Sequence, residues 1–498
     1  MNRPAHDDPI DADPGLRGSF AAPRRPPEIE LRIGISGPFS LALAGDCIAS
    51  RPITRLRDRL PGFAAVMDLL HQTDVCCGNL ETSIVDIDAF TGHPYCWDGN
   101  WPLLGEPAVA NDLAALGFDM FARANNHALD WGLEGMRETS DRLDAAGLVH
   151  AGAGQNLGLA RRTRHFEAPQ GRIGLVSVAT TYRPTSEALR PLGATPGRPG
   201  VSALRLRQID ILTDDEMKML RGLRPQSGPV EDTDAFSLFG RRFEAGAARG
   251  YRHEMDPSDL ADCLLNVRQG KQGSDFLIVM VHSHETGRDG YPEPPSPFLK
   301  ELARAAIDAG ADTICVSGIH HPGPVDLYRG RPIFYGLGNF IWSDLQEFLP
   351  SELYDLNRDL MNDAFAAPRK ATAADLNGVI NARHFAQQEV FETILPVVRF
   401  DGAELAEIVL HPIELGHGDP LTLSGVPWLA EGGQADRILR RIRDASASFG
   451  CEHEIQIVDG TGILRPTPAL RFPISNPCAT ARPALPASRS RRLRRLPE

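Results

Sequence analysis

The chain has 498 residues, 42% hydrophobic and 23% charged, with a formal net charge of −13 and no apolar run of the length that crosses a membrane. These values predict a soluble globular protein with one large domain or two smaller ones, and the acidic balance argues against nucleic acid as the main partner. The eight cysteines are scattered without a CxxC pair, which suits reduced thiols and not a disulfide framework or a cysteine-rich zinc cluster.

Residues 1–28 mix Asp, Arg and Pro without an apolar core segment. They read as a disordered arm and not as a secretory signal, so the expected location is the cytoplasm. From there strand-like and helix-like patterns alternate, the signature of an α/β layered domain. Strands are predicted at 39–44, 74–77, 118–122, 173–179, 276–281 and 312–316, with helices at 60–71, 106–116, 131–146 and 297–309. The third helix spaces Leu133, Met136 and Leu143 along one face, with Asp130 placed to cap it and Gly147 to end it.

Residues 183–250 break the rhythm with Pro, Gly and Arg and a hairpin pattern at 236–243, so they are expected to form an insertion or lid. A second irregular stretch, 343–388, is a further candidate to cover a site. Strands near 389–399 and 404–411, a helix near 432–446 and a short strand near 454–458 make 387–465 a strand-rich extension of the same domain, which is expected to span 29–475. The tail 476–498 carries Arg482, Arg489, Arg491, Arg492, Arg494 and Arg495 among Pro, Ala and Ser, and reads as disordered.

The predicted strands end in LAGDC, CGNLET, ARANNH, MVHSHE and SGIHHPG. Strand ends are where α/β proteins build their sites. Asp46, Glu81, Asn126, His127, His282, His284, Glu285, His320 and His321 are carboxylates, an amide and imidazoles, the donor set of N/O-coordinating divalent metals, with carboxylates able to bridge two ions.

The order GD, NLE, NNHxLDxG, HxHE, HHPG and YRGRPIFYGLGNFIW, from about Leu41 to Phe340, resembles the CapA family of poly-γ-glutamate capsule-synthesis proteins, of the calcineurin-like metallophosphoesterase superfamily. The resemblance implies an α/β fold, a metallophosphatase-like sandwich of two mixed β-sheets flanked by helices in four layers, with a metal centre on the loops at one edge. It makes Asp46 a terminal ligand, Glu81 the bridge and Asn126 a ligand of a second ion. It makes His127 a proton donor to the leaving group, with Asn125 fixing the turn. His282 matches the middle histidine of the family, Glu285 ligates or orients a ligand, and His320 with His321 takes the place of the closing pair.

The sequence departs from that pattern in two places. Ile48 stands where a metallophosphoesterase usually has a histidine, and the closing histidines are adjacent instead of alternating, so on an extended segment they face opposite ways. His284 shares a face with His282 and can substitute, which leaves one or two ions open. Arg51 and Arg198 are candidates for binding an anionic substrate group, Arg51 as a catalytic residue alongside His127 and Asn125, and Arg198 with Asn339 as substrate-binding residues. Trp97, Trp101 and Trp131 flank the site motifs, and packing is the simpler reading of all three.

The function expected is a hydrolase dependent on Mn, Fe, Zn or Mg. It would act on a phosphoester or an amide or γ-glutamyl-type bond of a small-molecule or peptidic substrate, linked to poly-γ-glutamate or a related metabolite. The alternative is a non-catalytic accessory protein of capsule synthesis that keeps the fold as a binding module.

Overall fold

The computed structural model describes residues 34–466 apart from 96–100, 224–234, 239, 287–293, 346–347, 365–370, 385 and 452. The N-terminal arm, the Arg-rich tail and Trp97 lie outside the described residues. Two mixed sheets stack face to face. The first has ten strands, in the order Gln456–Val458, Thr461–Leu464, Glu404–Glu414, Glu392–Asp401, Pro38–Ala49, Val75–Leu80, Met120–Ala122 and Val149–Ala151, with Asn339–Ser343 beside Pro38–Ala49 and Trp428–Leu429 beside Glu404–Glu414. The second has six, Val325–Tyr328, Arg331–Phe334, Thr313–Ser317, Phe276–His282, Gly171–Ala179 and Arg164–Ala168.

The central strands of both sheets run parallel, and that arrangement explains their composition. Parallel strands are covered on both faces, so VCCGNL and FLIVMVH are buried at every position instead of alternating. Leu41, Leu43, Val75, Cys77 and Met120 of one sheet meet Leu175, Ile278, Met280 and Cys315 of the other in a shared core. Helices close both outer faces. Pro61–His71 starts with proline at its first turn and buries Phe63, Val66, Met67 and Leu70, an i, i+3, i+4, i+7 stripe, against the first sheet. Phe298–Asp308 and Pro257–Gln272 cover the second. The result is the expected four-layer helix, sheet, sheet, helix sandwich.

The strand Pro38–Ala49 runs five residues beyond its expected end at 44, which puts Asp46 within the sheet instead of in a turn. Its register slips between Leu43 and Asp46 against one neighbour, and between Asp46 and Cys47 against the other. Such slips re-aim a side chain next to functional sites. Gly45 makes the packing fit, because a Cβ there would lie 1.9 Å from the carbonyl oxygen of Gly338.

Asp130 does not cap the third helix. Trp131 holds the N-cap position without a side-chain cap bond in Gly132–Ala145, and Asp130 is engaged elsewhere. Among its described residues, the stretch read as irregular at 343–388 contains three helices, Ser351–Leu356, Arg358–Ala364 and Ala373–His384. They are short or weakly amphipathic, which hid them from a periodicity reading. Within 183–250, Ala235–Leu238 and Arg241–Ala245 form the expected hairpin and join Leu206–Leu212 and Gly250–Met255 in a separate four-stranded sheet. Met217, Phe236 and Leu238 give this sheet a small core of its own. This sheet touches the loop after His282 through its strand Gly250–Met255, Tyr251 meeting Thr286 and His253 meeting Ser296.

Candidate functional site

Asp46 comes from within a strand, Glu81 follows the strand ending at Leu80, and Asn126 and His127 lie in the loop after Met120–Ala122. His282 closes its strand, His284 follows two residues later, and His320 sits in the loop after Thr313–Ser317. Loops at the carboxyl ends of parallel strands in both sheets therefore converge on one place.

Around His282 Nε2 lie Asn126 Oδ1 at 2.8 Å, His284 Nε2 at 3.0 Å and Glu81 Oε1 at 3.5 Å. Donor atoms sharing one divalent ion, each at about 2.0–2.2 Å from it, stand roughly 3 Å from one another. Asp46 Oδ2 lies 3.5 Å from His320 Nδ1 and accepts the Gly318 N–H at 3.0 Å, while its Oδ1 accepts from Asn79 Nδ2 at 2.8 Å. Two groups able to hold a metal result, Glu81 with His282 and His284, and Asp46 with Glu81 and His320, and Glu81 belongs to both.

The electrostatics of the cluster suit candidate metal ligands. Both oxygens of Glu81 are buried without a hydrogen-bond partner among the described residues. Burial, then the nearby Asp46 and Asp130 carboxylates, pushes its pKa well above the carboxylate range. A group in that state lacks a positive partner, since buried carboxylates are otherwise paired or coordinated. For Asp46 burial acts upward, yet the hydrogen bond to His320, the charges of His282 and His320, and Asn79 together leave its pKa lowered. Burial pushes His282 down to about 3 and His284 well below the imidazole range, so both are neutral rings with lone pairs to offer.

His127 is oriented by a buried chain of partners. Its Nδ1 lies 2.6 Å from Asp130 Oδ2, which also accepts the Leu103 N–H at 2.7 Å, and Asp130 Oδ1 pairs with Arg183 Nη2 at 2.8 Å. His127 Nε2 is thereby turned toward Glu81, 3.9 Å away. Asn125 ties the loop down. Its Nδ2 donates to Leu80 O at 2.8 Å and Asn79 Oδ1 at 3.2 Å, and its Oδ1 accepts the His127 N–H at 3.1 Å.

Five expected residues stand apart from the cluster. Glu285 accepts hydroxyl bonds from Thr180 at 2.7 Å, Thr181 at 2.9 Å and Ser283 at 2.6 Å, so it braces the loop behind His284 instead of joining the ligand atoms. His321 faces the other way, with Nδ1 3.2 Å from Pro322 O and with Arg441 and Glu389 among its charged neighbours; burial sets its pKa at about 4. The left-handed φ of 57° at His320 makes the two adjacent side chains diverge. Asn339 is fully buried and serves His320, its Oδ1 lying 2.9 Å from Nδ1 while its Nδ2 donates to Val390 O at 3.0 Å. Arg51 donates to Thr422 O, and Arg198 to Glu187 O at 2.8 Å, so both fasten loops.

At Gly318, two residues before His320, the fold leaves no room for a side chain. Its φ is 107°, and a Cβ would come within 2.7 Å of His284 Cδ2 and 2.8 Å of Ser283 O.

The cluster opens on a cavity of about 330 Å³. Asn126, His127, His284 and His320 form one wall, and Ile48, Trp101, Leu103, Trp342, Asp344 and Asn377 line the rest. Asn377 belongs to Ala373–His384, so the expectation that 343–388 contributes cover holds at that position. None of the described residues of 183–250 lines the cavity. Trp131 packs in the core, with its indole N–H on Leu103 O.

Sequence reasoning missed Asn79, Asp130 as a partner of His127, Arg183, Asp344 and Asn377. Asp130 had a legible signal, lying three residues after His127 within one turn, and Asn79 opens the NLE motif itself, whereas Arg183, Asp344 and Asn377 carry none.

Residues 40–344 match the family model described as bacterial capsule synthesis protein PGA_cap. An uncharacterized protein of Sinorhizobium fredii is 40% identical over 439 residues, covering 86% of this chain and 93% of its own. A probable polyglutamine synthesis accessory protein of Mycobacterium tuberculosis is 29% identical, covering 54% of this chain and 56% of its own. The PGA biosynthesis protein CapA of Bacillus subtilis is 24% identical, covering 61% and 63%. With the family match spanning more than half of the chain and carrying the site loops from Asp46 to His320, the chain belongs to the bacterial capsule synthesis protein family that includes CapA.

Proposed function

We propose that the chain is a metal-dependent hydrolase acting on a phosphoester or an amide or γ-glutamyl-type bond in poly-γ-glutamate or related metabolism. The observation that supports this most directly is Glu81, a carboxylate with both oxygens buried and unpartnered, shared by two triads of candidate ligands. In this reading Glu81, His282, His284 and Asn126 hold one ion, and Asp46, His320 and Glu81 a second. Mixed nitrogen and oxygen donors suit Mn, Fe or Zn, with Mg also open. Bound there, such an ion would acidify a water and neutralise an anionic transition state.

The chain's own residues supply the rest. His127, with Nδ1 anchored on Asp130, presents Nε2 to the cavity and as an imidazolium can hand a proton to the departing group. Arg183 compensates the buried Asp130 charge, so the ring keeps its orientation through the transfer. The isoleucine, leucine and tryptophan side chains lining the cavity would reduce the water around the reacting bond.

Elemental analysis of protein purified without chelator, compared with Asp46→Ala and His282→Ala, tests the reading alongside turnover of p-nitrophenyl phosphate esters and γ-glutamyl amides. Near-stoichiometric metal in the wild type alone, with turnover, is the expected result. The name of the mycobacterial relative favours a second reading, a non-catalytic accessory to polymer synthesis. That reading requires unchanged polymer-linked function in variants that bind no metal.

A further inference from the structure

The lining of the cavity holds a carboxylate that the proposed hydrolysis does not use. Asp344 follows the strand Asn339–Ser343, and its position is fixed on both sides: Ser50 N–H donates to Ser343 O at 2.8 Å and Leu345 N–H donates to Ser50 Oγ at 2.8 Å. Asn377 reaches it from the covering helix, donating to the Asp344 backbone oxygen at 2.7 Å with Oδ2 at 3.4 Å. Asp344 is the one carboxylate among the described residues lining the cavity, and no Lys or Arg lines it with them. No ion pair to Asp344 exists among the described residues. Burial raises its pKa to about 7, although hydrogen bonding from the Trp101 and Asn377 side chains acts downward. Trp101 and Trp342 line the same space, and aromatic faces attract alkylammonium groups. A volume of about 330 Å³ is that of a small-ligand site.

We propose that Asp344 is the counter-ion for the ammonium group of an amine-bearing substrate, whose scissile bond lies at the histidines while its amine reaches Asp344 in the same cavity. The assignment rests on the cavity being the substrate site of the hydrolase proposed above, and it names the substrate class as a small primary amine that also carries the bond to be cleaved. An ammonium group entering the cavity gives Asp344 the cation it lacks. A neutral group of the same size leaves the carboxylate uncompensated, and a carboxylate ligand brings like charge to it.

The test needs no turnover. n-Butylammonium, 1-butanol and butyrate are titrated into the full chain at pH 8, with and without Mn, and binding is followed by fluorine NMR of protein carrying 5-fluorotryptophan. The expected result is a Kd for n-butylammonium at least tenfold below those of the other two, with or without Mn, and equal Kd values for the amine and the alcohol in Asp344→Asn. Equal affinity for amine and alcohol in the wild type overturns the proposal, as does a preference for butyrate or an amine preference that survives in Asp344→Asn. The wild-type comparison stands by itself if the variant does not fold. Metal content, measured on the same samples, reads the failure of the hydrolase proposal separately.

Discussion

Glu81→Gln separates the chemical meaning of the buried carboxylate from its structural one. In wild-type protein without metal, two buried oxygens lack hydrogen bonds, and an unsatisfied buried polar group costs roughly 1–3 kcal/mol, more when charged. Glutamine keeps the size and removes the charge. The amide stays as unpartnered as the carboxylate, so in chelator the variant is expected to gain on the wild type only through the charge, by about 1.4 kcal/mol for each pH unit between the ordinary and the raised carboxylate value. The sign follows from linkage: Glu81 binds its proton more tightly folded than unfolded, so protonation stabilises the fold below the ordinary carboxylate range. That contribution disappears as pH rises through the raised value, so the wild type should fall behind the variant on going from pH 5 to pH 8. Mn at a hundred times its Kd adds about 2.7 kcal/mol to the wild type and far less to a variant without the shared anion, which works against that gain. Urea denaturation across this pH range, with chelator and with Mn, reads both effects. A stability difference in chelator that stays constant across this pH range, or an equal gain from Mn in both proteins, refutes the reasoning.

Other substitutions probe the surrounding parts. His127→Ala should retain metal by elemental analysis and lose about 10²-fold or more in rate, the size of a missing general acid, in single-turnover assays. Asp130→Asn leaves the ring in place but gives Nδ1 a neutral partner; its rate should fall at unchanged metal content, and a rate equal to wild type would remove Asp130 from the orientation of His127. Gly318→Ala forces a Cβ into His284 and Ser283 at a positive φ, and should cost about 1–3 kcal/mol in denaturation along with metal affinity. Lys271→Met removes the 2.7 Å Lys271 Nζ contact but leaves Arg331 Nη2 3.1 Å from Asp312, so stability should fall in the same assay by less than the roughly 3–5 kcal/mol of a buried charge left with no partner.

What the sequence disclosed and what it hid have physical causes. The central strands were legible because burial on both faces leaves unbroken apolar runs such as FLIVMVH, and their polar ends stand out against them. The convergence of Asp46, Glu81, Asn126, His282, His284 and His320 follows once those strands share two stacked sheets. Direction was not legible. Arg51 and Arg198 lie close to motifs in sequence, yet they fasten loops to Thr422 and Glu187, because composition does not say which way a long side chain turns. Asp344 and Asn377 come from a stretch whose short helices carry little periodicity, and Arg183 from a segment rich in proline. Asp130 looked like a helix cap because a capping aspartate and the partner of a histidine one turn earlier occupy the same place in sequence.

The candidate ligands come from both sheets, with Asp46, Glu81 and Asn126 on one and His282, His284 and His320 on the other. Asp46 and His320 are separated by most of the length of the described chain. No early folding event can gather them, since every strand between must first be laid down and the two layers docked. An ion held there forms its bonds after the rate-limiting barrier of folding, so it should leave the refolding rate nearly unchanged and slow unfolding, acting as a late clasp on the open edge of the sandwich.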